Sequence, residues 1–190
     1  MTDWTIVRLS NARQVAELME MDEDALPGED VAAPAYYAAL RDGGEQVSAL
    51  DFLAHALPRF ESVAWAAQTL DTESRTRTLP VRDRLALDTV LRWVGEPVEA
   101  NRLAAREASE AAGDRSAERL LALAVFFSGG TMSQPDLPPV NPPPHVSARF
   151  AAGAIKLAAF RTDDPKKVID DALVLGEAVA QQGIGALTPA

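Results

Sequence analysis

The two histidines, His55 and His145, are the side chains best suited to acid–base chemistry near neutral pH. Ser128 precedes Gly129 and Gly130, and acidic residues are plentiful, so a Ser–His–Asp arrangement could be built from this chain. However, Ser128 does not lie in the Gly-x-Ser-x-Gly pattern of a nucleophile elbow. Because glycine readily adopts the left-handed conformation that ends a helix, we favour the interpretation that this run is a helix C-cap.

Metal, phosphate and thiolate chemistry have little support in the sequence. The chain has no cysteine, and its two histidines are ninety residues apart, so we expect no zinc site. The Asp-Asp pairs at 163–164 and 170–171 could suggest Mg²⁺ or Ca²⁺, but they lack EF-hand spacing. We expect Asp164 to cap a helix and Asp170 to pair with Lys166 four residues earlier. No phosphate-binding glycine motif is present, and we predict no cofactor.

Charge is distributed unevenly along the chain. Lys and Arg total 18 and Asp and Glu total 28, which gives a net charge of −10. Residues 1–60 alone contain eleven acidic and four basic side chains. Because nucleic acids and anionic membranes attract basic surfaces, we expect neither as a partner. An acidic surface permits a basic protein partner, or it serves solubility alone.

Two segments bear on where in the cell the protein is expected. Residues Met1–Ser10 have no basic start followed by an apolar run, so they do not resemble a signal peptide. The longest unbroken apolar stretch, Leu120–Phe127, has eight residues and is too short to cross a bilayer. With no cysteine to form disulfides, the sequence favours a cytoplasmic location.

Apolar residues follow a helical period almost throughout the chain. Trp65 and Trp93 fall on apolar helical faces, so we expect both in the core. Ser116–Phe127 is apolar nearly all round, which indicates a helix at the centre of a bundle. Prolines and glycines interrupt these helical patterns at short intervals. The sequence therefore predicts an all-α, single-domain bundle of about eight helices, arranged as stacked antiparallel hairpins with one proline-rich loop.

Three regions are predicted along the chain: an acidic N-terminal region with short helices (1–44), a bundle core (45–183) and a flexible tail (184–190). Within them, Trp4–Leu9 could form a short strand, although it has no obvious pairing partner. Residues 71–79 are predicted to be a polar loop. The next helices are expected to start at prolines, because proline is favoured in a first helical turn; one such start is Pro97.

The segment from Thr131 to His145 holds six of the thirteen prolines and favours an extended polyproline conformation. We favour a rigid strap across the bundle, with the side chains of Leu137 and Val140 buried against it. Proline segments that act as ligands more often lie at a terminus or in a disordered linker. The alternative is a docking arm, or a ligand for an aromatic groove.

Two stretches together carry a resemblance to a known family. The first is Ala-Leu-Pro-Arg-Phe-Glu-Ser-Val-Ala-Trp-Ala-Ala at 56–67, and the second is Leu-Ala-Val-Phe-Phe-Ser-Gly-Gly at 123–130. They resemble an uncharacterised family of small helical bacterial proteins, whose pattern reads Leu-Pro-Arg-Arg-Glu-Ala-Val-Trp-Trp-Ala and then Phe-Phe-Ser-Gly-Gly. Here Phe60 replaces the second arginine and Ala64 the first tryptophan. The likeness covers roughly residues 45–180.

This resemblance implies no established activity. Members of the family lie near type VI secretion genes, among spike-tip and effector-adaptor proteins, which implies an accessory role in assembling or loading that machine. We therefore expect a non-catalytic adaptor or chaperone-like protein whose partner is a secretion component or an effector. One alternative is an acidic immunity-type inhibitor of a toxin. Another is an enzyme or small-ligand binder with a pocket under the proline segment, using Ser128, Arg149 or His145.

Candidate binding residues are the surface positions near the two motifs, and no catalytic residue is expected. The candidates are Arg59, Ser128, Gly129, Gly130, Pro142 and Arg149.

Overall fold

Helices make up nearly all of the regular structure in the residues that the structure, a computed structural model, describes: 3–133 and 136–187. In this part of the chain there are nine α-helices and no strand, so the predicted all-α bundle is confirmed. None of these helices is long and apolar enough to cross a membrane. The helices are α1 (Ala12–Leu18), α2 (Ala33–Asp42), α3 (Gln46–Ala56), α4 (Arg59–Ser74), α5 (Val81–Gly95), α6 (Glu99–Ala111), α7 (Ala117–Phe126), α8 (Val146–Phe160) and α9 (Pro165–Gln182).

Side-chain caps begin several of these helices. Asn11, Ser116 and Asp164 precede α1, α7 and α9, and each accepts a hydrogen bond from the backbone N–H three residues further on. Such a bond satisfies an amide that has no partner within the helix. The predicted cap at Asp164 is therefore confirmed, and Pro165 follows it at the first helical position.

Helix α7 lies at the centre of the bundle, as its apolar sequence predicts. It packs against α4, α5, α6 and α8, and Leu121 and Val125 are fully buried. Helix α8 presents a largely alanine surface to α3, α4 and α7. Small side chains allow helices to approach closely, so a short, apolar α7 can be surrounded on several sides.

Trp65 and Gly176 fix how α9 packs on the bundle. Trp65 is fully buried, and its indole N–H donates to the carbonyl of Ala172 at 2.7 Å. A Cβ atom on Gly176 would lie 2.7 Å from side-chain atoms of both Leu53 and Trp65. Glycine is therefore required at this crossing. Trp93 is buried as well, so the core positions predicted for Trp65 and Trp93 are confirmed.

The N-terminal segment Trp4–Leu9 forms no strand, which corrects one expectation. The amides of Thr5 and Ile6 both donate to the carbonyl of Ala180, and a third amide, that of Arg8, donates to the end of α3. These carbonyls lie at helix ends, where they have no partner within their own helix. The segment is extended because it satisfies helix termini instead of pairing with another strand.

Two predicted boundaries are wrong. Residues 71–79 are not all loop, because α4 continues to Ser74. The last turn is helical because Glu73 is buried against other helices. Helix α6 begins at Glu99, so Pro97 lies before the helix and not in its first turn.

The proline segment is held at its base by hydrogen bonds and exposes its apolar residues. The Thr131 hydroxyl accepts a hydrogen bond from the Val140 N–H at 3.0 Å. Leu137 is 58% exposed and Val140 52% exposed, so their predicted burial is wrong, whereas Pro142 is buried. Polar contacts at the base, and not packing of these two side chains, close the loop. Residues 134–135 lie outside the described residues.

The first two helices pack on the bundle, and a short helix follows the last α-helix. Helices α1 and α2 pack against each other and against α3, and the boundary predicted at residue 44 stays a prediction. Helix α9 ends at Gln182, and a short 3₁₀ helix, Gly183–Ala186, follows it. Of the predicted tail, residues 188–190 lie outside the described part of the chain.

Candidate functional site

A hydrogen bond joins the turn between α3 and α4 to the loop after α7. Arg59 is the first residue of α4, and its Nη1 donates to the carbonyl of Ser128 at 3.2 Å. Helix α3 ends before Leu57, which is extended because the residue preceding a proline avoids the helical conformation. The fold thus brings together the two stretches that carry the family resemblance, which are about 69 residues apart in sequence.

A buried arginine that the sequence patterns did not single out lies beneath this loop. Arg102 of α6 is only 4% exposed, and it donates to the carbonyls of Phe126 at 2.6 Å and Thr131 at 3.1 Å. Its Nε and Nη2 donate to the two carboxylate oxygens of Glu99, at 2.7 and 2.6 Å. The guanidinium therefore satisfies carbonyls at and beyond the C-terminus of α7, where the helix dipole favours a positive charge.

The sequence does contain a signal for Arg102. Arg102, Ala105 and Ser109 fall on one stripe of α6 at helical spacing, and all three are buried. An arginine on a stripe of small buried residues indicates a buried partner, because arginine is rarely buried unpaired. The spacing offers Glu99, three residues earlier, as one partner, but the carbonyls of Phe126 and Thr131 could not be inferred, since backbone carbonyls carry no residue-specific pattern.

Gly130 is required for this contact. Its φ is +63°, and a Cβ atom there would lie 2.6 Å from Nη2 of Arg102. Around Gly129, by contrast, a Cβ atom would meet no other atom within 4 Å. Helix α7 ends just before the Ser-Gly-Gly run, as predicted, although Phe127 and not a glycine is the C-cap residue.

An open cleft of about 440 Å³ lies between this loop and helices α4, α5 and α6. The rings of Phe60 and Trp93 stand 5.4 Å apart, centroid to centroid, and form an aromatic wall. We call this space the motif cleft. Its volume falls in the range of ligand-binding pockets, and it can also take one or two side chains of a partner protein. Its lining residues are Phe60, Trp93, Pro97, Val98, Glu99, Arg102, Ser128, Gly129 and Gly130.

The polar groups of the motif cleft differ in whether they already have partners. The hydrogen bond from Arg102 lowers the pKa of Glu99, so this pair is a carboxylate and a guanidinium at neutral pH. The Ser128 hydroxyl donates to the carbonyl of Val125 at 2.7 Å. No group among the described residues accepts a hydrogen bond from the backbone N–H of Gly129 or Gly130. Among the described residues, these two amides are therefore donors without a protein acceptor.

Arg59 has a second arginine close to it. Partial burial, together with the charge of Arg8, lowers the pKa of Arg59, which remains a cation at neutral pH. Nη1 of Arg8 donates to the carbonyl of Pro144 at 3.3 Å. In the described part of the chain, no carboxylate oxygen lies within 4.0 Å of either guanidinium. Carbonyl dipoles are therefore their only polar partners among these residues.

The other two predicted binding residues lie elsewhere. The exposed Arg149 donates to Glu20 at 2.9 Å and to the carbonyl of Met19 at 3.3 Å. The hydrogen bond from Arg149, followed by the charge of His145, lowers the pKa of Glu20. Pro142 is buried and does not line the motif cleft.

The structure therefore separates the six predicted binding residues into two groups. Ser128, Gly129 and Gly130 line the motif cleft, and Arg59 contacts its edge, whereas Pro142 and Arg149 do not take part. Whether any of them binds a partner stays a prediction.

The histidines are not joined to Ser128. His55 is buried, and its Nδ1 lies 2.7 Å from the carbonyl oxygen of Asp51, whereas its Nε2 has no partner among the described residues. Burial lowers the pKa of His55, so its ring is neutral at pH 7. Nδ1 of His145 lies 3.8 Å from Glu20. In the residues that the structure describes, no three His, Asp or Glu side chains cluster as a metal site.

A second cleft, of about 420 Å³, lies between α4 and α9, and none of the six candidates lines it. The hydroxyl of Thr69 donates to the carbonyl of Trp65 in α4, and that of Thr162 donates to the carbonyl of Ala159 at the end of α8. With those hydroxyls engaged, the wall between them is largely apolar and includes Val168 and Leu175. This cleft has no residue of the two motifs.

Beside the second cleft lies a cluster of buried charges. Arg161, which follows α8, donates to Glu73 of α4 and lies 2.8 Å from Glu118 of α7. Nε of Arg77 lies 2.6 Å from the other oxygen of Glu73. Burial works to lower the pKa of Arg161, but its hydrogen bonds to Glu118 and Glu73 outweigh burial and raise it. This cluster ties three helices together.

Comparisons with known proteins place the chain in a family. No curated protein and no solved structure matches the chain significantly. Residues 36–180, about three quarters of the chain, match a family described as a family of unknown function, DUF6931. This range includes both motifs and every residue that lines the motif cleft. The expected membership of an uncharacterised family is confirmed: the chain belongs to the DUF6931 family.

Proposed function

We propose that this protein is a non-catalytic adaptor that holds a segment of a partner protein in the motif cleft. The observation that supports this function is the cleft itself. It is open, it has an aromatic wall formed by Phe60 and Trp93, and its Gly129 and Gly130 amides are available as donors. Aromatic surface beside oriented hydrogen-bond donors is a combination suited to binding a peptide segment.

The pairing of the polar side chains in the cleft supports binding over chemistry. A general base must lie within hydrogen-bond reach of the proton that it removes. The carboxylate of Glu99 is bound to Arg102, and the Ser128 hydroxyl is bound to a carbonyl of α7. These side chains shape and charge the cleft, and the free donors are backbone amides.

The proline segment, which follows the Gly130 of the cleft in sequence, exposes further apolar surface. It begins directly after Gly130, and both Leu137 and Val140 are exposed. Exposed apolar residues that lie together mark interaction surfaces more often than scattered ones do. These exposures favour the docking arm over the strap. We therefore include the segment in the proposed interface.

The identity of the partner is proposed from the resemblance to proteins encoded near type VI secretion genes. On this proposal the adaptor works in the bacterial cytoplasm, and its partner is a secretion component or an effector that is loaded onto the machine. The contacts described above support an interaction with protein, and the secretion setting rests on the resemblance.

Site-specific photo-crosslinking in the native bacterium tests both parts of the proposal. A photoreactive amino acid replaces Val98, an exposed residue of the cleft, or as a control Val174, an exposed residue on the outer face of α9. We expect one or a few proteins to crosslink from position 98 and not from position 174, identified by mass spectrometry. Equal crosslinking from both positions, or none from position 98, would contradict the adaptor function. A cleft partner from outside the secretion system would keep the adaptor and overturn the secretion setting.

A second candidate function is supported by the acidic N-terminal region. Residues 17–30 contain seven acidic and no basic side chains, and all seven acids are exposed. Such a surface fits the basic cleft of a toxin, as an immunity-type inhibitor would. Co-expression with a neighbouring toxin tests it: protection that is lost when Asp22, Glu23 and Asp24 are made neutral supports inhibition. A toxin that still kills in the presence of the unaltered protein would exclude it.

A further inference from the structure

Two arginines lie near each other beside the motif cleft: Arg59 reaches its edge, and the backbone N–H of Arg8 donates to the carbonyl of Ala56, three residues before Arg59. Arg59 donates to the carbonyl of Ser128, and Arg8 donates to the carbonyl of Pro144. A guanidinium has five N–H donors, and these are the side-chain bonds found for each among the described residues. Most of the donors of both side chains are therefore open to a ligand.

Such a pair is unexpected in this protein. The chain carries 28 acidic side chains, and both the buried Arg102 and the half-buried Arg161 bind carboxylates. Arg8 and Arg59 instead repel each other, and no carboxylate of the described residues neutralises them. Two like charges held together without a counter-ion form a site that an anion would stabilise.

Backbone donors lie beside Arg59. Ser128, whose carbonyl binds Arg59, is followed directly by Gly129 and Gly130, whose N–H groups have no acceptor among the described residues. Gly130 has a positive φ, and consecutive amides that include such a conformation make concavities that bind anions. Arginine forks and backbone amides both match the planar geometry of a carboxylate.

The aromatic side chains next to the two arginines indicate which kind of anion would fit this site. Phe60 follows Arg59 in α4, and its ring packs with that of Trp93 on the aromatic wall of the cleft. A ligand that uses both features carries a carboxylate and an apolar side chain on one residue. The last residue of a polypeptide has this combination, whereas Asp and Glu side chains do not.

We propose that this junction binds the C-terminal carboxylate of a partner protein whose last side chain is apolar. The carboxylate accepts hydrogen bonds from Arg59 and from the Gly129 and Gly130 amides, with Arg8 adding attraction. The last side chain lies against Phe60 and Trp93. This assignment rests on the proposed adaptor function and specifies which part of the partner is bound.

Small-molecule probes measure separately how much the carboxylate and the apolar side chain contribute to binding. N-acetyl-phenylalanine, its C-terminal amide and N-acetyl-glycine are titrated at millimolar concentrations into ¹⁵N-labelled protein. We expect N-acetyl-phenylalanine to shift the amide signals of Gly129 and Gly130 and to saturate, with a change in Trp93 fluorescence. The amide form lacks the charge and N-acetyl-glycine lacks the ring, so both should bind at least several-fold more weakly.

Variants test the role of each arginine. Arg59→Gln should weaken binding of N-acetyl-phenylalanine about tenfold or more, because hydrogen bonds to charged groups are strong. Arg59→Lys should recover part of the loss, because it keeps the charge without the fork. Arg8→Gln, on an exposed side chain that leaves the core intact, should weaken binding about twofold or more. Arg115→Gln removes the same charge from the loop at the other end of α7 and should change nothing.

Three results would overturn the assignment: equal binding of the amide form, equal shifts from inorganic phosphate, or binding that survives both Arg59→Gln and Arg8→Gln. A failure of these probes is distinguishable from a failure of the adaptor function. If position 98 still crosslinks to a partner, the cleft binds protein through a part other than the C-terminus.

Discussion

The two ends of α7 are each held by a buried or half-buried arginine, but in different ways. At the N-terminal end, Arg161 binds two buried carboxylates, Glu118 and Glu73. At the C-terminal end, Arg102 binds the backbone carbonyl of Phe126 and one exposed carboxylate. Both arrangements suit the helix dipole, which favours an acid at the N-terminus and a base at the C-terminus.

The difference separates an end that is closed around the buried Glu118 from an end that is open at the motif cleft. A buried carboxylate is tolerated only when it is paired, so Arg161 must stay on Glu118, whose side chain is fully buried, even though Glu73 of the same cluster also lines the second cleft. A backbone carbonyl carries only a partial charge, and a loop that supplies it can remain at the surface. The C-terminal end can therefore hold an arginine in place and still leave the motif cleft open, as the proposed adaptor function requires.

The largest expected effect comes from removing one carboxylate from the Arg161 cluster at the closed end of α7. Glu118→Gln removes one carboxylate from Arg161 and leaves a fully buried amide, which should lower the free energy of unfolding by about 3 kcal/mol. The matched control is Glu110→Gln, which breaks an exposed pair with Arg106 and should cost less than about 1 kcal/mol. Urea denaturation followed by circular dichroism measures both. Equal losses would mean that the buried cluster contributes no more than a surface pair.

The next effect tests how tightly Gly130 packs against Arg102 at the open end of α7. Gly130→Ala adds a Cβ against Arg102 and places alanine at positive φ, so it should lower the free energy of unfolding by about 2 kcal/mol. Gly44→Ala has a positive φ but open space around it, and should cost about 1 kcal/mol.

Gly129→Ala completes this series, since it has neither strain nor a clash and should change stability by less than about 0.5 kcal/mol. Thermal unfolding of the three variants measures the order. If Gly130→Ala costs no more than Gly44→Ala, the close approach of Arg102 contributes nothing to the open end.

The remaining effect concerns His55 of α3, which is close enough to Arg149 and His145 for their charges to act on its ring. Burial lowers the pKa of the folded-state ring, so below pH 6.5 the unfolded chain binds a proton that the folded chain does not. Stability should therefore fall as the pH drops from 7 to 5.5, with His55 contributing at most about 1 kcal/mol.

In His55→Gln this part of the pH dependence should disappear, while the dependence due to other groups remains. Urea unfolding of both proteins at a series of pH values measures the difference. Parallel curves for the two proteins would show that His55 takes up its proton equally in both states.

Much of the fold was predictable from local patterns. The cap at Asp164, the central position of α7 and the core positions of Trp65 and Trp93 follow from residue type and helical spacing. The exposed Leu137 and Val140 were not predictable, because apolar side chains in a loop are buried only if another element covers them.

The candidate site was predictable only in part. Ser128, Gly129 and Gly130 were selected by their pattern, but Arg102 and the contact from Arg59 were not. Any arginine that reaches a backbone carbonyl can donate to it, so no sequence spacing predicts these hydrogen bonds.

The sequence by itself determined the helices, their caps and their buried faces, because these depend on interactions between residues a few positions apart. Only the tertiary structure decided that Arg59 meets Ser128, that Arg102 meets Phe126 and that a cleft remains between them. Those contacts join residues 24 and 69 positions apart in sequence. Their geometry depends on how whole helices pack, and side-chain periodicity does not encode it.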